Sequence, residues 1–225
     1  ANVYLWSHGS NVVANEGGEW APGSTEEQLS DAIGYFGSFL EDGSTPENVL
    51  SIPLAGDPII TQGLASGDCA MSFQTPQQFT ISLESNDGLL SAPLPSGPEG
   101  QFLQMGGRSL SINAQSDYPE ESWEFIRYIT SKDVFQEYYT NQFPAQSTLL
   151  ASGEFGPTLS SETYAGYAES LLVAKTYLEY LGAPAPIPAI WNALVANFSA
   201  AYAGQVSPDE AARELNTALT NALRG

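Results

Sequence analysis

From position 24 the chain reads as an amphipathic helix. Ser24 is placed to cap it and Glu27 completes a capping box three residues on. Leu29, Ala32, Ile33, Phe36 and Leu40 then fall on one face before Gly43 stops the run. The same period returns at 117–129, with Asp117 and Glu120 as the cap signal and Trp123, Ile126 and Ile129 as the stripe, and Ser131 opens a further helix to about Thr140. Beyond Pro144 the pattern is almost wholly helical, at 160–180, 188–203 and 207–223. Ser207, Pro208 and Glu210 supply the last of these with a cap, an N1 proline and a capping box; Ala211, Leu215, Leu219 and Leu223 lie in its stripe. Shorter helices are expected within 3–14, broken by Gly9, from Asp57 and Pro58 to Ser66, and for one or two turns at 76–84.

Strand character lies between these helices. In "ASGDCAMSFQTP" (65–76) a turn at Gly67 and Asp68 is followed by small or apolar Cys69, Ala70, Met71 and Phe73, then by a polar stop at Gln74, Thr75 and Pro76. "LLSAPLP" (89–95) and two segments flanking Gly106-Gly107 within 102–112 read as further strands. Residues 15–23 and 44–56 are loops by composition, and "GAPAPIPA" (182–189) is a rigid connector. Strands in the middle with helices on both sides indicate α/β or α+β, with too few strands for a complete doubly wound sheet.

The chain has 225 residues, enough for one large domain or two lobes. Its formal charge of −20 comes from a shortage of bases: 6 Lys and Arg stand against 26 Asp and Glu, and charged residues make up only 14%. Such a surface repels nucleic acid and anionic membranes, and it suits an extracytoplasmic setting. No apolar run approaches the roughly 20 residues of a membrane helix. Position 1 is not Met, which points to a processed or trimmed start. One cysteine, Cys69, excludes an internal disulfide and a thiolate metal site, and it reads as a small buried hydrophobe in a strand. One histidine, His8, excludes a His-rich metal site and a Ser-His-Asp order. No phosphate loop or nucleotide fingerprint is present, so no cofactor is expected. The sequon Asn197-Phe198-Ser199 falls inside an expected helix and reads as chance.

The order of segments resembles the family 1 extracellular solute-binding proteins of ABC importers, the group that includes maltose-binding protein. The stretches that carry the likeness are "YLWSHGSNVVANEGGEW" (4–20), "GLASGDCAMSFQTP" (63–76), "GLLSAPLPSGP" (88–98), "MGGRSLSINAQSDYPEESWEFIRYITSKDVFQEY" (105–138), "FPAQSTL" (143–149) and "YAGQVSPDEAARELNTALTNAL" (202–223). No single motif is specific; their order and spacing are. The resemblance implies a periplasmic-binding-protein type II-like α/β fold. Residues 1–98 and 146–225 would form the helix-rich C-terminal lobe, and 99–145 would return into the N-terminal lobe. The family's opening βαβ lobe has no counterpart in these residues. That leaves a fragment, a rearranged fold, or a lobe completed by a second chain.

The resemblance also implies a carbohydrate ligand held in an interlobe cleft without chemistry, and importer membrane subunits as partners. Trp6, Ser7 and His8 lie in the first cleft-facing segment, where a Trp face suits a sugar's C–H surface. Glu19 and Trp20 are placed to cap a ligand. Gln74, Thr75 and Gln77 lie at a strand's carboxyl end, where ligands bind in open α/β sheets. Gly107 belongs to the Gly106-Gly107 turn, and Arg108, which follows it, offers a bidentate grip on an acidic group. Each has a plainer alternative: Trp6 as core, His8 as surface, Glu19 and Trp20 as exposed loop, Gln74 and Thr75 as turn residues, Arg108 as a structural ion pair. Trp123 and Trp191 read as core. Because the family closes two lobes on its ligand, the chain as given is expected to bind weakly or not at all. Two other classes compete. Glu16 with Glu19, or Glu120 with Glu121, would be the carboxylate pair of a glycoside hydrolase; alternatively the chain is a non-catalytic scaffold derived from a binding-protein lobe.

Overall fold

The computed structural model describes residues 2–51, 58–107, 109–139, 141–153, 155–176 and 180–224. They form two compact units. The first is Ala1–Ile52, Leu94–Met105 and Val173–Gly225; the second is Pro53–Pro93 and Gly106–Leu172. β3 (Leu103–Met105) pairs in parallel with β4 (Ala174–Thr176), which ties 94–105 into the first unit.

Unit 1 opens with α1 (Asn2–Ser7), which ends ahead of Gly9 at φ 74°. The region expected to be a loop at 15–23 is a hairpin. β1 (Val13–Glu16) pairs antiparallel with β2 (Glu19–Pro22) around Gly17 and Gly18, whose φ values of 64° and 98° suit a tight two-residue turn. The helix α2 (Glu26–Glu41) starts one residue later than the sequence suggests. Thr25 is its N-cap and Gln28 the reciprocal partner: Gln28 N–H donates to Thr25 Oγ1 at 3.2 Å, and Thr25 N–H donates to Gln28 Oε1 at 3.0 Å. Ser24 is drawn away from the cap by the hairpin, because its hydroxyl donates to the Asn11 carbonyl at 2.6 Å and accepts from Asn11 N–H at 2.9 Å.

The long helices α9 (Ile187–Tyr202) and α10 (Pro208–Leu223) lie where the sequence places them, and Ser207 Oγ accepts the Glu210 N–H at 3.2 Å. They pack with α2 around Leu29, Ile33, Ile190, Leu194, Leu215 and Leu219. Asn197 is buried, and its amide donates to the Ala193 carbonyl at 2.8 Å, so the sequon is occupied by packing. Trp191, expected in the core, is 40% exposed on α9.

Unit 2 contains α3 (Pro58–Ser66), α4 (Pro76–Ser85), α5 (Pro119–Ile129), α6 (Lys132–Tyr138), α7 (Ser147–Ser152) and α8 (Ala165–Ser170). No strand occurs among its described residues. The strand expected at 69–73 is instead a connector between α3 and α4. Cys69 N–H closes α3 by donating to the Gly63 carbonyl at 2.9 Å, Cys69 is half-buried, and Met71 is 88% exposed. A strand needs a ladder partner, and none lies beside this run among the described residues. The strand expected at 89–95 is absent for the same reason, as is the one after Gly107. The turns expected at 76–84 lengthen into α4. The helix expected over 160–180 breaks into a 3₁₀ turn (Glu162–Tyr164), α8, a second 3₁₀ turn (Leu171–Val173) and β4. α5 begins at Pro119 without a side-chain cap, so Asp117 does not serve as one. A small core of Phe79, Phe155, Leu159 and Tyr164 holds unit 2 together.

Candidate functional site

The expected ligand residues divide between the units. Trp6, Ser7, His8, Glu19 and Trp20 belong to unit 1; Gln74, Thr75, Gln77 and Gly107 belong to unit 2; Arg108 lies outside the described residues.

In unit 1 the end of α1 is packed rather than open. Trp6 is 1% exposed, so its face does not meet solvent. The Lys175 ammonium lies 5.6 Å from its ring centroid and 4.3 Å from that of Phe102. Two rings thus share one cation, which offsets part of the cost of taking that charge from water. Ser7 is buried, and its hydroxyl donates to the Tyr4 carbonyl at 3.0 Å. The segment at 97–100 seats on it: Glu99 N–H donates to the Ser7 carbonyl at 3.0 Å, and a Cβ on Gly97 would fall 2.6 Å from that oxygen. Trp6 and Ser7 therefore hold unit 1 together.

His8 is half-buried, with its ring centroid 5.1 Å from that of Tyr35. Its Nδ1 lies 2.8 Å from the Tyr4 carbonyl. A carbonyl only accepts, so that nitrogen carries the proton and Nε2 is the other polar atom of the ring. Tyr4, beneath it, has its hydroxyl pushed up to about 12 by burial first and then by Tyr35 and Tyr202. Glu19 is exposed at the hairpin tip opposite Glu16, and half-buried Trp20 packs on the unit 1 core.

In unit 2 the polar end of 65–76 has a structural use. Thr75 is the N-cap of α4: its Oγ1 accepts Gln78 N–H at 3.3 Å, and its N–H donates to Gln78 Oε1 at 2.9 Å, with Pro76 at N1. Gln74 is half-buried; its Oε1 accepts from Ser82 Oγ at 3.1 Å and its carbonyl from Tyr167 OH at 3.0 Å. Burial first, then Tyr164, raises the Tyr167 hydroxyl well above its usual range. Gln77 and Gly107 are exposed. The residues the sequence reading missed are Lys175 and Phe102, which close over Trp6. Their only signal was that Lys175 is one of two lysines in the chain.

Neither carboxylate pair is built for hydrolysis: Glu16 and Glu19 sit exposed at the hairpin tip, and Glu120 and Glu121 sit exposed in the first turn of α5. Among the described residues no group of three or more His, Cys, Asp or Glu could hold a metal ion, and no helix is long and apolar enough to cross a membrane.

The family model of bacterial extracellular solute-binding proteins matches residues 2–156. The chain belongs to this family. Solved structures of the same fold cover nearly all of this solute-binding chain. A cyclo/maltodextrin-binding protein complexed with maltotetraose has 14% identity and a TM-score of 0.69; it covers 97% of this chain, which spans 55% of it. The maltose-maltodextrin-binding protein of Alicyclobacillus acidocaldarius has 18% identity, a TM-score of 0.70 and the same 97% coverage, and this chain spans 59% of it. A third, CpMnBP1 with mannotriose bound, has 14% identity and a TM-score of 0.70, covers 97% of this chain, and is spanned to 56%. The fold is thus of the periplasmic-binding-protein type II class, and the chain spans a little over half the length of these neighbours. Nothing among the curated proteins matches its sequence.

Proposed function

We propose that this chain is the substrate-binding component of an ABC importer, or a portion of one, and that it takes a neutral oligosaccharide without chemistry outside the cytoplasm. The family match over residues 2–156 carries this reading. The fold shared with proteins bound to maltotetraose and mannotriose favours sugar as the ligand class. The −20 charge disfavours nucleic acid and anionic ligands. The partners are the oligosaccharide, the importer's membrane subunits and the polypeptide that completes the lobe to which unit 2 belongs. Of the candidate residues, Glu19 in unit 1 and Thr75, Gln77 and Gly107 in unit 2 are exposed, and His8, Trp20 and Gln74 are half-buried, so each unit keeps polar groups at or near solvent.

Calorimetry with maltotetraose and mannotriose tests this. The 225-residue chain is expected to give weak heats or none. The protein carrying whatever its gene encodes upstream of Ala1 is expected to bind one of these sugars with a dissociation constant on the order of micromolar. Failure of that longer protein to bind any oligosaccharide of a broad panel would refute the sugar reading. A second reading, a non-catalytic interaction module, is favoured by one observation, the exposed apolar side chains of unit 2.

A further inference from the structure

One aromatic cluster of unit 1 reaches solvent. Tyr35 and Phe39 stand one turn apart on the flank of α2, beside the stripe that enters the core. Tyr35 is 46% exposed. Its ring is nevertheless held by three others: His8 at 5.1 Å between centroids, Phe39 at 5.1 Å and edge-on, and Tyr4 at 6.2 Å. Tyr4 in turn packs on Phe36 at 4.9 Å, and Phe36 stacks on Tyr202 of α9 at 4.5 Å, so the exposed ring is anchored to the long helices. A lone surface tyrosine swings between rotamers. This one is fixed beforehand, so a ligand that covers it loses little entropy in ordering it. The polar atoms beside the ring are uncommitted. His8 spends Nδ1 on the Tyr4 carbonyl, and its Nε2 makes no hydrogen bond among the described residues. The Tyr35 carbonyl accepts from Ser38 Oγ at 2.8 Å, whereas its hydroxyl makes no hydrogen bond among the described residues.

We infer that Tyr35 and His8 form a surface site for a neutral pyranose unit, built on unit 1 alone. The C–H face of the sugar covers the Tyr35 ring, and its hydroxyls meet the Tyr35 hydroxyl and His8 Nε2. With Nδ1 carrying the proton, Nε2 takes a hydrogen bond from a sugar hydroxyl, while the phenol both donates and accepts. Two considerations choose this occupant. A wholly apolar cover would leave both polar atoms without a partner. An anionic ligand would meet a chain of charge −20 at a cluster that contains no Lys or Arg. The platform is one exposed ring and not an enclosed pocket, so its affinity is on the order of millimolar. This goes beyond the importer reading, since it needs neither unit 2 nor a completing polypeptide.

The test titrates the 225-residue chain with maltotetraose and follows the His8 ring by NMR. His8 is the one histidine of the chain, so its ring signals identify themselves. The His8 and Tyr35 ring signals are expected to move together and to saturate in roughly the millimolar range. Tyr35→Ala should weaken the response about tenfold or more. Tyr35→Phe, which keeps the stacking face and the packing on Tyr4 and removes only the hydroxyl, should weaken it about threefold. His8→Gln leaves Tyr35 seated on Phe39 and Tyr4, and should have a similar effect when binding is read from the α2 amides. No movement of either ring at sugar concentrations up to about 100 mM, or an equal response from Tyr35→Ala, overturns the inference. So does a stronger response to tetramethylammonium than to the sugar, because a cation is then the occupant. Self-association of the chain that Tyr35→Ala abolishes overturns it as well, because a second copy then covers the ring. The longer protein separates the two proposals. Tyr35→Ala is expected to leave its micromolar sugar binding unaltered, and absence of that binding sinks the function while the millimolar response of His8 stands.

Discussion

The two units use similar apolar side chains to different effect. In unit 1 the stripes of α2, α9 and α10 meet one another, so Leu29, Ile190, Leu194 and Leu215 are each within 1% of full burial. In unit 2 no described residue of the α5 stripe is fully buried, Trp123 is 52% exposed, and the buried core shrinks to Phe79, Phe155, Leu159 and Tyr164. An apolar period states only that a face needs covering; a second layer within reach decides whether it is covered. Unit 1 contains its own second layer.

The largest expected effect tests unit 1. Leu215→Ala should cost about 3 kcal/mol, because it empties a site between three helices that cannot collapse. Urea unfolding measures the loss, and amide exchange should locate it in α2, α9 and α10. A cost under about 1 kcal/mol would break the contrast by showing unit 1 to be loosely packed. Next comes Gly166→Ala in unit 2, at about 2 kcal/mol, since a Cβ there would lie 2.4 Å from the Ala92 carbonyl carbon. A neutral result by the same urea titration would show that unit 2 has no fixed packing at all. Thr75→Ala should cost about 1 kcal/mol by removing the cap of α4, and Thr75→Ser should restore most of it. If alanine were as stable as threonine, the Thr75 side chain would not be needed as the cap of α4.

The smallest effect appears only in alkali. The Tyr4 hydroxyl, normally near 10, is raised to about 12 in the folded chain. A raised acid favours the folded state fully below the unfolded value and loses that contribution as pH rises through the folded one. Stability should therefore be unaffected by Tyr4 below pH 10 and should fall between about 10 and 12. Absorbance at the phenolate band should show a late-titrating tyrosine that Tyr4→Phe removes. An unshifted titration would place Tyr4 in open solvent.

Helices with both a period and a cap signal were legible: α2, α9 and α10 lie within a residue or two of their expected places. The hairpin at 13–22 is less legible, because Gly17-Gly18 reads as loop composition although a double glycine also suits a two-residue turn. The candidate site was less legible. Trp6 and Ser7 sit in a moderately apolar stretch of short expected helix, and Lys175, Phe102 and the 97–100 segment enclose them from far along the chain. Thr75 and Gln78 carried a local cap signal that a reading of 74–77 as a ligand edge passed over.

Local chemistry alone was enough to specify where helices begin, which faces are apolar, that the chain is poor in bases and, through the order of its segments, which family it belongs to. Those properties depend on neighbours within a few residues or on the linear order itself. Tertiary structure decided that 69–73 is a connector and not a strand, that Trp6 is interior and Trp123 is not, and that 103–105 pairs with 174–176. Burial and strand pairing are relations between distant segments, and a period in one segment carries no information about whether its counterpart is there to meet it.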